Sequence, residues 1–347
     1  MSPSNSLRDN NFDLLRVLFA VIVFFVHAYV LSENDLLAPF SIFLSSEIAV
    51  KSFFVVSGFL IFMSYENSRS LKSYTSKRIH RIYPAYFSIV VLCALLGVFI
   101  SSVSVSDYFS IDWLKYLLAN LLFLNFLHPE LPGVFSGNII HAVDGALWTL
   151  KIEVMFYLSV PVLVWSMRKW GRWQMLLALY IASLAYVVLI EVWGIRTGSG
   201  IYLELQRQFP GQLMFFIAGA VLYYYLDLFK QHWLWLLTLA VLIMVIRHLV
   251  PVLWLEPIAL AIIVIYFACV FPWLGNFGKY GDFSYGIYIV HFPILQVLIA
   301  EGMFESSPMM ALSFAAFLVL ACAYLFWHYI EKPFLRSSSH YVEVNRD

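Results

Sequence analysis

An arginine and a histidine stand eleven positions apart in one apolar segment: PheAspLeuLeuArg at 12–16, then His27. At 100° per residue this spacing returns to within about 20° of the same helix face and separates the side chains by roughly 16 Å along the axis. One stripe therefore carries a guanidinium near one end and an imidazole towards the other. Asp13 precedes Arg16 by one turn, at pairing distance on a helix. Glu153 closes TrpThrLeuLysIleGlu at 148–153, about two turns into another apolar segment and at a depth comparable with His27. A histidine beside a carboxylate makes a general base for a hydroxyl, because the carboxylate fixes the tautomer and stabilises the imidazolium; the same pair also serves a proton-coupled carrier. Ionisable groups inside apolar spans are costly, and hydrogen bonding between helices is the competing explanation for each.

Other residues carry weaker signals. LysArgIleHisArgIleTyrPro at 77–84 closes a basic stretch that begins at Arg69. Read as a loop leading into a helix, it offers Arg78 and Arg81 as a cradle for phosphates, with binding of anionic lipid as the alternative. His291, in TyrGlyIleTyrIleValHisPhePro at 285–293, is a further histidine within a span, expected nearer the cytoplasmic end of its helix. Ser57-Gly58 in PhePheValValSerGlyPheLeu reads as a small pair for close helix packing, and as a poor nucleophile without a base in reach. Metal-ligand spacing, a Walker loop, a dinucleotide fingerprint and a CxxC pair are absent, so no metal is expected.

The elements that must hold these residues are set by composition. Of 347 residues, 62% are hydrophobic and 12% charged, where a soluble domain has roughly 45–50% and about 25%. Apolar runs of about 20 residues recur along the whole chain, which excludes disordered, collagen-like and disulfide-scaffold classes. Net charge is zero, so nothing favours a nucleic-acid partner. Cys93, Cys269 and Cys322 lie in separate apolar segments, suited to packing.

Spans are expected near 12–31, 47–64, 83–101, 146–166, 173–193, 210–228, 232–249, 252–272, 284–301 and 309–331. The segment 112–127 is shorter and carries Asp112, Lys115, Asn120 and Asn125. If it does not cross, fourteen of the 21 Lys and Arg residues fall on one side and five on the other, with Arg16 and Lys151 inside helices. The positive-inside rule therefore predicts an all-α integral membrane protein: a bundle of about ten transmembrane helices with both termini cytoplasmic and an extra interfacial or re-entrant helix on the outer face. The outer elaborations are 102–145 and 194–209. Residues 1–347 are expected to form one transmembrane domain, with a short polar N-terminus at 1–10, a cytoplasmic tail at 333–347 and no appended soluble domain.

Six collinear strings then point to a family. The chain resembles the membrane acyltransferase 3 family, integral-membrane O-acyltransferases that modify bacterial glycans. The Arg16/His27 pair is similar to its first-helix signature, PhePheValValSerGlyPheLeu to its second-helix motif, and Arg78 and Arg81 to its basic pair. LeuTrpThrLeuLysIleGlu at 147–153 resembles its Trp-Thr-Leu-x-x-Glu element; SerTyrGlyIleTyrIleValHisPhePro and IleGluLysProPhe at 330–334 complete the match. Lys151 departs from the small or polar residue common at its position.

The resemblance implies transfer of an acyl group, most often acetyl, from cytoplasmic acetyl-CoA or another acyl-CoA to a hydroxyl of an extracytoplasmic or lipid-linked glycan at a bacterial inner membrane. His27, Glu153 and Arg16 are the expected catalytic residues, and Arg78, Arg81 and Arg16 the expected donor-binding residues. Trp148, Asp13 and His291 are the expected substrate contacts. Membrane lipid and a poly- or oligosaccharide acceptor are the partners. A proton-coupled transporter or flippase is the alternative, favoured by paired or pseudo-symmetric halves; no internal repeat is present in the sequence.

Overall fold

The computed structural model describes residues 9–335 except 248, 251 and 253. Arg8, Arg336 and Arg346, which are among the fourteen expected on the inner side, and the tail beyond Leu335 lie outside the described residues. Among these, every regular element is helical. The principal helices are α1 (Phe12–Ser32), α2 (Ser46–Glu66), α3 (Leu71–Leu96), α4 (Ile111–Leu121), α5 (Trp148–Trp170), α6 (Arg172–Thr197), α7 (Phe209–Tyr224), α8 (Leu226–Ile246), α9 (Glu256–Cys269), α10 (Phe283–Ala300) and α11 (Pro308–Leu325). The chain is an all-α integral membrane protein.

Eight helical stretches among the described residues are long and apolar enough to cross a membrane, where ten were expected. The other two expected spans, 210–228 and 252–272, are α7 and α9, of 16 and 14 residues, or about 24 and 21 Å. Each starts with a proline in its first turn, and α7 stops where Tyr225 leaves helical geometry (φ −118°, ψ 28°). The apolar runs continue through these turns, so hydropathy overstates the helices. Within 112–127 the helix is α4, 11 residues long and about 16 Å, too short to cross a hydrocarbon core of about 30 Å.

A second correction concerns the basic stretch. The expected third span, 83–101, begins twelve residues earlier, because Ser70 caps α3: its Oγ accepts from the Ser73 amide at 3.2 Å. Lys72, Lys77, Arg78 and Arg81 are therefore helical residues. Arg78 and Arg81 sit two to three turns inside, away from the open N–H groups of the helix start. Pro84 is accommodated within α3.

Contacts divide the chain into two compact units. One takes the described residues of Met1–Leu15, Val50–Thr75 and Ile152–Asn276; the other takes those of Arg16–Ala49, Ser76–Lys151 and Phe277–Asp347.

The first unit is organised by close backbone approach. A Cβ on Gly58 would lie 1.9 Å from the Phe216 carbonyl oxygen, and one on Gly219 would lie 2.0 Å from that of Val55. Each helix thus supplies the glycine that admits the other's backbone, the small-residue contact that drives helix pairing in lipid. Phe156 stacks on Phe216 with ring centres 4.1 Å apart, filling the space beside the contact. Asn11 fastens the start of α1 to the end of α9. Its side-chain amide donates to the Phe267 and Pro272 carbonyls and its oxygen accepts from the Leu274 amide.

The second unit pairs α10 with α11 and draws 102–145 onto them. Gln296, fully buried on α10, donates through Nε2 to the carbonyls of Ile140 and Ala142 and accepts from Asn138 at 2.8 Å. Tyr86 on α3 donates to the Asn120 carbonyl at 2.7 Å. Buried amides and hydroxyls therefore satisfy a segment whose regular elements are two short helices, Val105–Tyr108 and α4.

The glycine contact yields a direct expectation. Gly58→Ala forces backbone against backbone, with no rotamer to relieve it, at a cost of about 1–3 kcal/mol. Its melting temperature in detergent should fall below that of Gly137→Ala, whose Cβ meets nothing within 4 Å. Equal melting of the two variants would contradict the packing assigned here.

Candidate active site

The site is assembled at one end by charge. Asp282 precedes α10, and its Oδ1 accepts from the Ser284 amide at 3.1 Å and from the Ser284 hydroxyl, capping the helix. Its Oδ2 takes two guanidinium groups: Arg16 Nη1 on α1 at 2.5 Å and Arg81 Nη2 on α3. Arg81 Nη1 also donates to Glu331 Oε2 at 3.2 Å, in the wide helical turn Phe326–Glu331 that follows α11. The Asp282 side chain is wholly buried and that of Glu331 is 2% exposed. Buried carboxylates require paired charge and further donors; Asp282 receives both, while Glu331 takes the Arg81 bond on Oε2 and its Oε1 has no hydrogen-bond partner among the described residues. Four chain segments meet at this cluster.

Further along the same helices, His27 meets His291. His27 Nδ1 lies 2.8 Å from His291 Nε2, and His291 Nδ1 lies 3.2 Å from the Ile287 carbonyl oxygen. A carbonyl only accepts, so His291 Nδ1 carries hydrogen and, in the neutral ring, Nε2 is an acceptor. His27 Nδ1 must then donate, which leaves the lone pair of a neutral His27 on Nε2. That nitrogen is a base with an orienting partner behind it. His291 is fully buried, whereas His27 is only part-buried. Phe292 presents its ring edge-on to His27 with centres 5.6 Å apart, and Tyr288 lies against His291 at 5.8 Å. Tyr288 shares a 2.8 Å hydrogen bond with Thr149 Oγ1 on α5.

Arg16 and His27 thus both address α10, as their spacing requires. The partners advance together, eleven residues on α1 and nine on α10, so the two helices run in the same direction. Parallel orientation fits an odd number of crossings between them, whether or not the two short helices α7 and α9 are counted, and a crossing by α4 would make the number even. His291 also sits at the depth of His27, not nearer the opposite end as expected. The connection α1 makes with Asp282 fixes this level.

The other expected site residues are placed on their own elements. Glu153 belongs to the other unit, where Ser57 Oγ lies 2.7 and 2.9 Å from its two carboxylate oxygens and donates its single proton between them. Ser57 therefore has a base in reach, against expectation, and the partner that fixes the tautomer of His27 is His291. Trp148 opens α5, Asp13 lies in the first turn of α1, and Arg78 stands one turn before Arg81 on α3. Asp282 was missed from sequence, although Asp-x-Ser at the head of a span is a capping signal. Glu331 was quoted within a motif but given no role. Among the described residues no group of three or more His, Cys, Asp or Glu side chains is placed to hold a metal.

Residues 9–328 match the model of a family described as an acyltransferase domain, acyltransferase 3. The chain is similar to "Nodulation protein 10" of Rhizobium leguminosarum bv. viciae, with 29% identity over 328 residues covering 87% of this chain and 88% of that protein. It is also similar to the "O-acetyl transferase" of Shigella phage Sf6, 27% identical over 342 residues, covering 96% and 98%. No solved structure matches the chain at a significant level.

The ion cluster carries its own expectation. Asp282→Asn preserves the cap on Ser284 but leaves two guanidinium groups without their shared charge. Breaking a buried pair in this way costs about 3–5 kcal/mol, so the melting temperature in detergent should drop markedly below wild type. A variant as stable as wild type would show that the cluster does not hold α1, α3 and α10 together.

Proposed function

The chain belongs to the acyltransferase 3 family, and from that premise we propose that it moves an acyl group, acetyl in the first instance, from cytoplasmic acetyl-CoA to a hydroxyl of an extracytoplasmic or lipid-linked bacterial glycan. The observation that carries this reading is the histidine pair. It presents one unprotonated imidazole nitrogen with its tautomer fixed by a second, buried ring, and general base catalysis on a weakly acidic hydroxyl needs that arrangement. Family membership favours group transfer over the transporter alternative, which would use the same residues as a proton relay.

The step balances as follows. His27 Nε2 takes the proton of the acceptor hydroxyl as its oxygen attacks the thioester carbonyl carbon. The new C–O bond forms and the C–S bond breaks. The departing thiolate recovers the proton from the His27 imidazolium, which His291 Nε2 steadies through the Nδ1–H bond. The products are the O-acyl ester and free CoA. Arg78 and Arg81, with Arg16 further along, are assigned to the donor, where guanidinium groups suit CoA phosphates. The distance of about 16 Å from Arg16 to His27 along α1 matches the reach of an extended pantetheine arm. Glu153, held by Ser57, is assigned to turnover on the strength of the Trp-Thr-Leu-x-x-Glu match. Trp148 and Asp13 are assigned to substrate contacts. The charge bias supports a cytoplasmic side for both termini.

The full-length protein in nanodiscs, given radiolabelled acetyl-CoA and the glycan fraction of its host membranes, should form labelled ester. His27→Ala should lower turnover by about 10²–10⁴-fold with CoA affinity retained. His291→Ala should lower it as well, and His291→Gln, whose amide oxygen still accepts from His27 Nδ1–H, should recover part of the loss. Wild-type turnover in His27→Ala would remove the base from the mechanism.

A further inference from the structure

Asp144 is a buried acid that the reaction described above does not use. It stands immediately before the turn Gly145–Leu147 that leads into α5, and it is 7% exposed. Its Oδ1 accepts from the Ala146 amide at 3.0 Å, while its Oδ2 has no hydrogen-bond partner among the described residues. Buried polar atoms are normally bonded, and one left over asks for an explanation such as a ligand or a catalytic role.

Its position ties it to the histidine pair by two routes. The backbone at Gly145 lies so close to Phe292 that a Cβ there would approach the ring to 2.6 Å, and the same ring packs edge-on against His27. On the other side, Asp144 is within electrostatic range of Tyr288, which touches His291. Two neighbouring hydroxyls are already engaged: that of Tyr288 with Thr149, and that of Tyr86 with the Asn120 carbonyl. Burial holds its carboxyl well above the usual carboxylate range. An uncharged acid is the expected state of such a group. With Oδ1 accepting from an amide, the proton resides on Oδ2, which makes that atom a donor without an acceptor.

We propose that Asp144 is a catalytic residue whose Oδ2–H donates to the carbonyl oxygen of the acyl thioester and stabilises the oxyanion formed there. The inference rests on the reading of His27 as the base. The acceptor hydroxyl is itself a donor, directed at His27 Nε2, so the atom near the histidines that gains negative charge is the thioester carbonyl oxygen. A neutral carboxyl in an apolar setting is a strong, preorganised donor for such charge. Its proton stays on Asp144 throughout, and the bonds made and broken are those already given.

Two substitutions separate this role from capping. Asp144→Asn keeps an acceptor for Ala146 and places an amide N–H₂ donor where Oδ2–H stood. Asp144→Ser keeps the cap through its hydroxyl and lacks the second group. The full-length variants are compared in nanodiscs with radiolabelled acetyl-CoA and host-membrane glycan, after melting temperature and CoA affinity confirm folding. Asp144→Thr replaces the serine variant if that one does not accumulate. The asparagine variant should stay within about tenfold of wild type, whereas the serine variant should lose about 10²–10³-fold in kcat with CoA affinity unchanged. A serine variant with wild-type kcat would overturn the proposal, because Oδ2 would then be dispensable. A folded asparagine variant as inactive as serine would overturn it too, because an ionised carboxylate would then be needed. His27→Ala run alongside distinguishes the two readings: its full activity rejects the base, while its inactivity beside an active serine variant rejects the oxyanion donor alone.

Discussion

Two guanidinium groups from different helices share one buried carboxylate oxygen, and the chemistry of the second unit depends on that arrangement. Asp282 accepts Arg16 and Arg81 through Oδ2 while its other oxygen caps α10. A charge taken out of water is tolerated only where partners surround it, and removing any partner exposes the desolvation penalty of the rest. The cluster is therefore poorly tolerant of sliding. Moving α1 by one residue along α10, about 1.5 Å, would break a charge-assisted bond at the buried end.

That intolerance sets the level at which His27 meets His291. The histidine bond contributes modestly by itself, as neutral hydrogen bonds do, but it transmits direction: carbonyl to His291, His291 to His27, His27 to whatever approaches its Nε2. Fixing a tautomer before substrate arrives removes a reorganisation step from proton transfer. The same packing brings Phe292 against His27 and the Asp144–Gly145 backbone against Phe292, so base and neutral acid are positioned by one aromatic ring. The ion cluster acts as the anchor, α1 and α10 as rods, and the histidines as the working end.

Much of this was legible in the sequence where periodicity governs. The common face of Arg16 and His27 follows from helical spacing alone, and both residues do address α10. The failure of 112–127 to form a helix of crossing length followed from its charges and length. What was not legible depends on contacts between distant segments. His291 lies 264 positions from His27, and nothing local marks it as a partner. Asp282 has no place in the sequence reading, because hydropathy is blind to what lies beyond a span. The basic stretch before 83–101 reads as a loop because a hydropathy window registers apolarity and not helicity, although Ser70 offers a cap. Apolar runs through Tyr225 and around Pro257 lengthened α7 and α9 in the same way. Ser57 seemed to lack a base because its distance from Glu153 is set by tertiary packing.

The central claim is that the fold, before any substrate binds, holds His27 with hydrogen on Nδ1 and a bare Nε2. Nitrogen-15 NMR of histidine-labelled protein in lipid reports this directly, with His27 assigned by its loss in His27→Ala. The account predicts a neutral His27 at pH 7 with a protonated Nδ1 signal, a bare-nitrogen signal for Nε2, and a correlation across the bond from His27 Nδ1 to His291 Nε2. A His27 ring protonated on Nε2, or one lacking the correlation to His291, would contradict it.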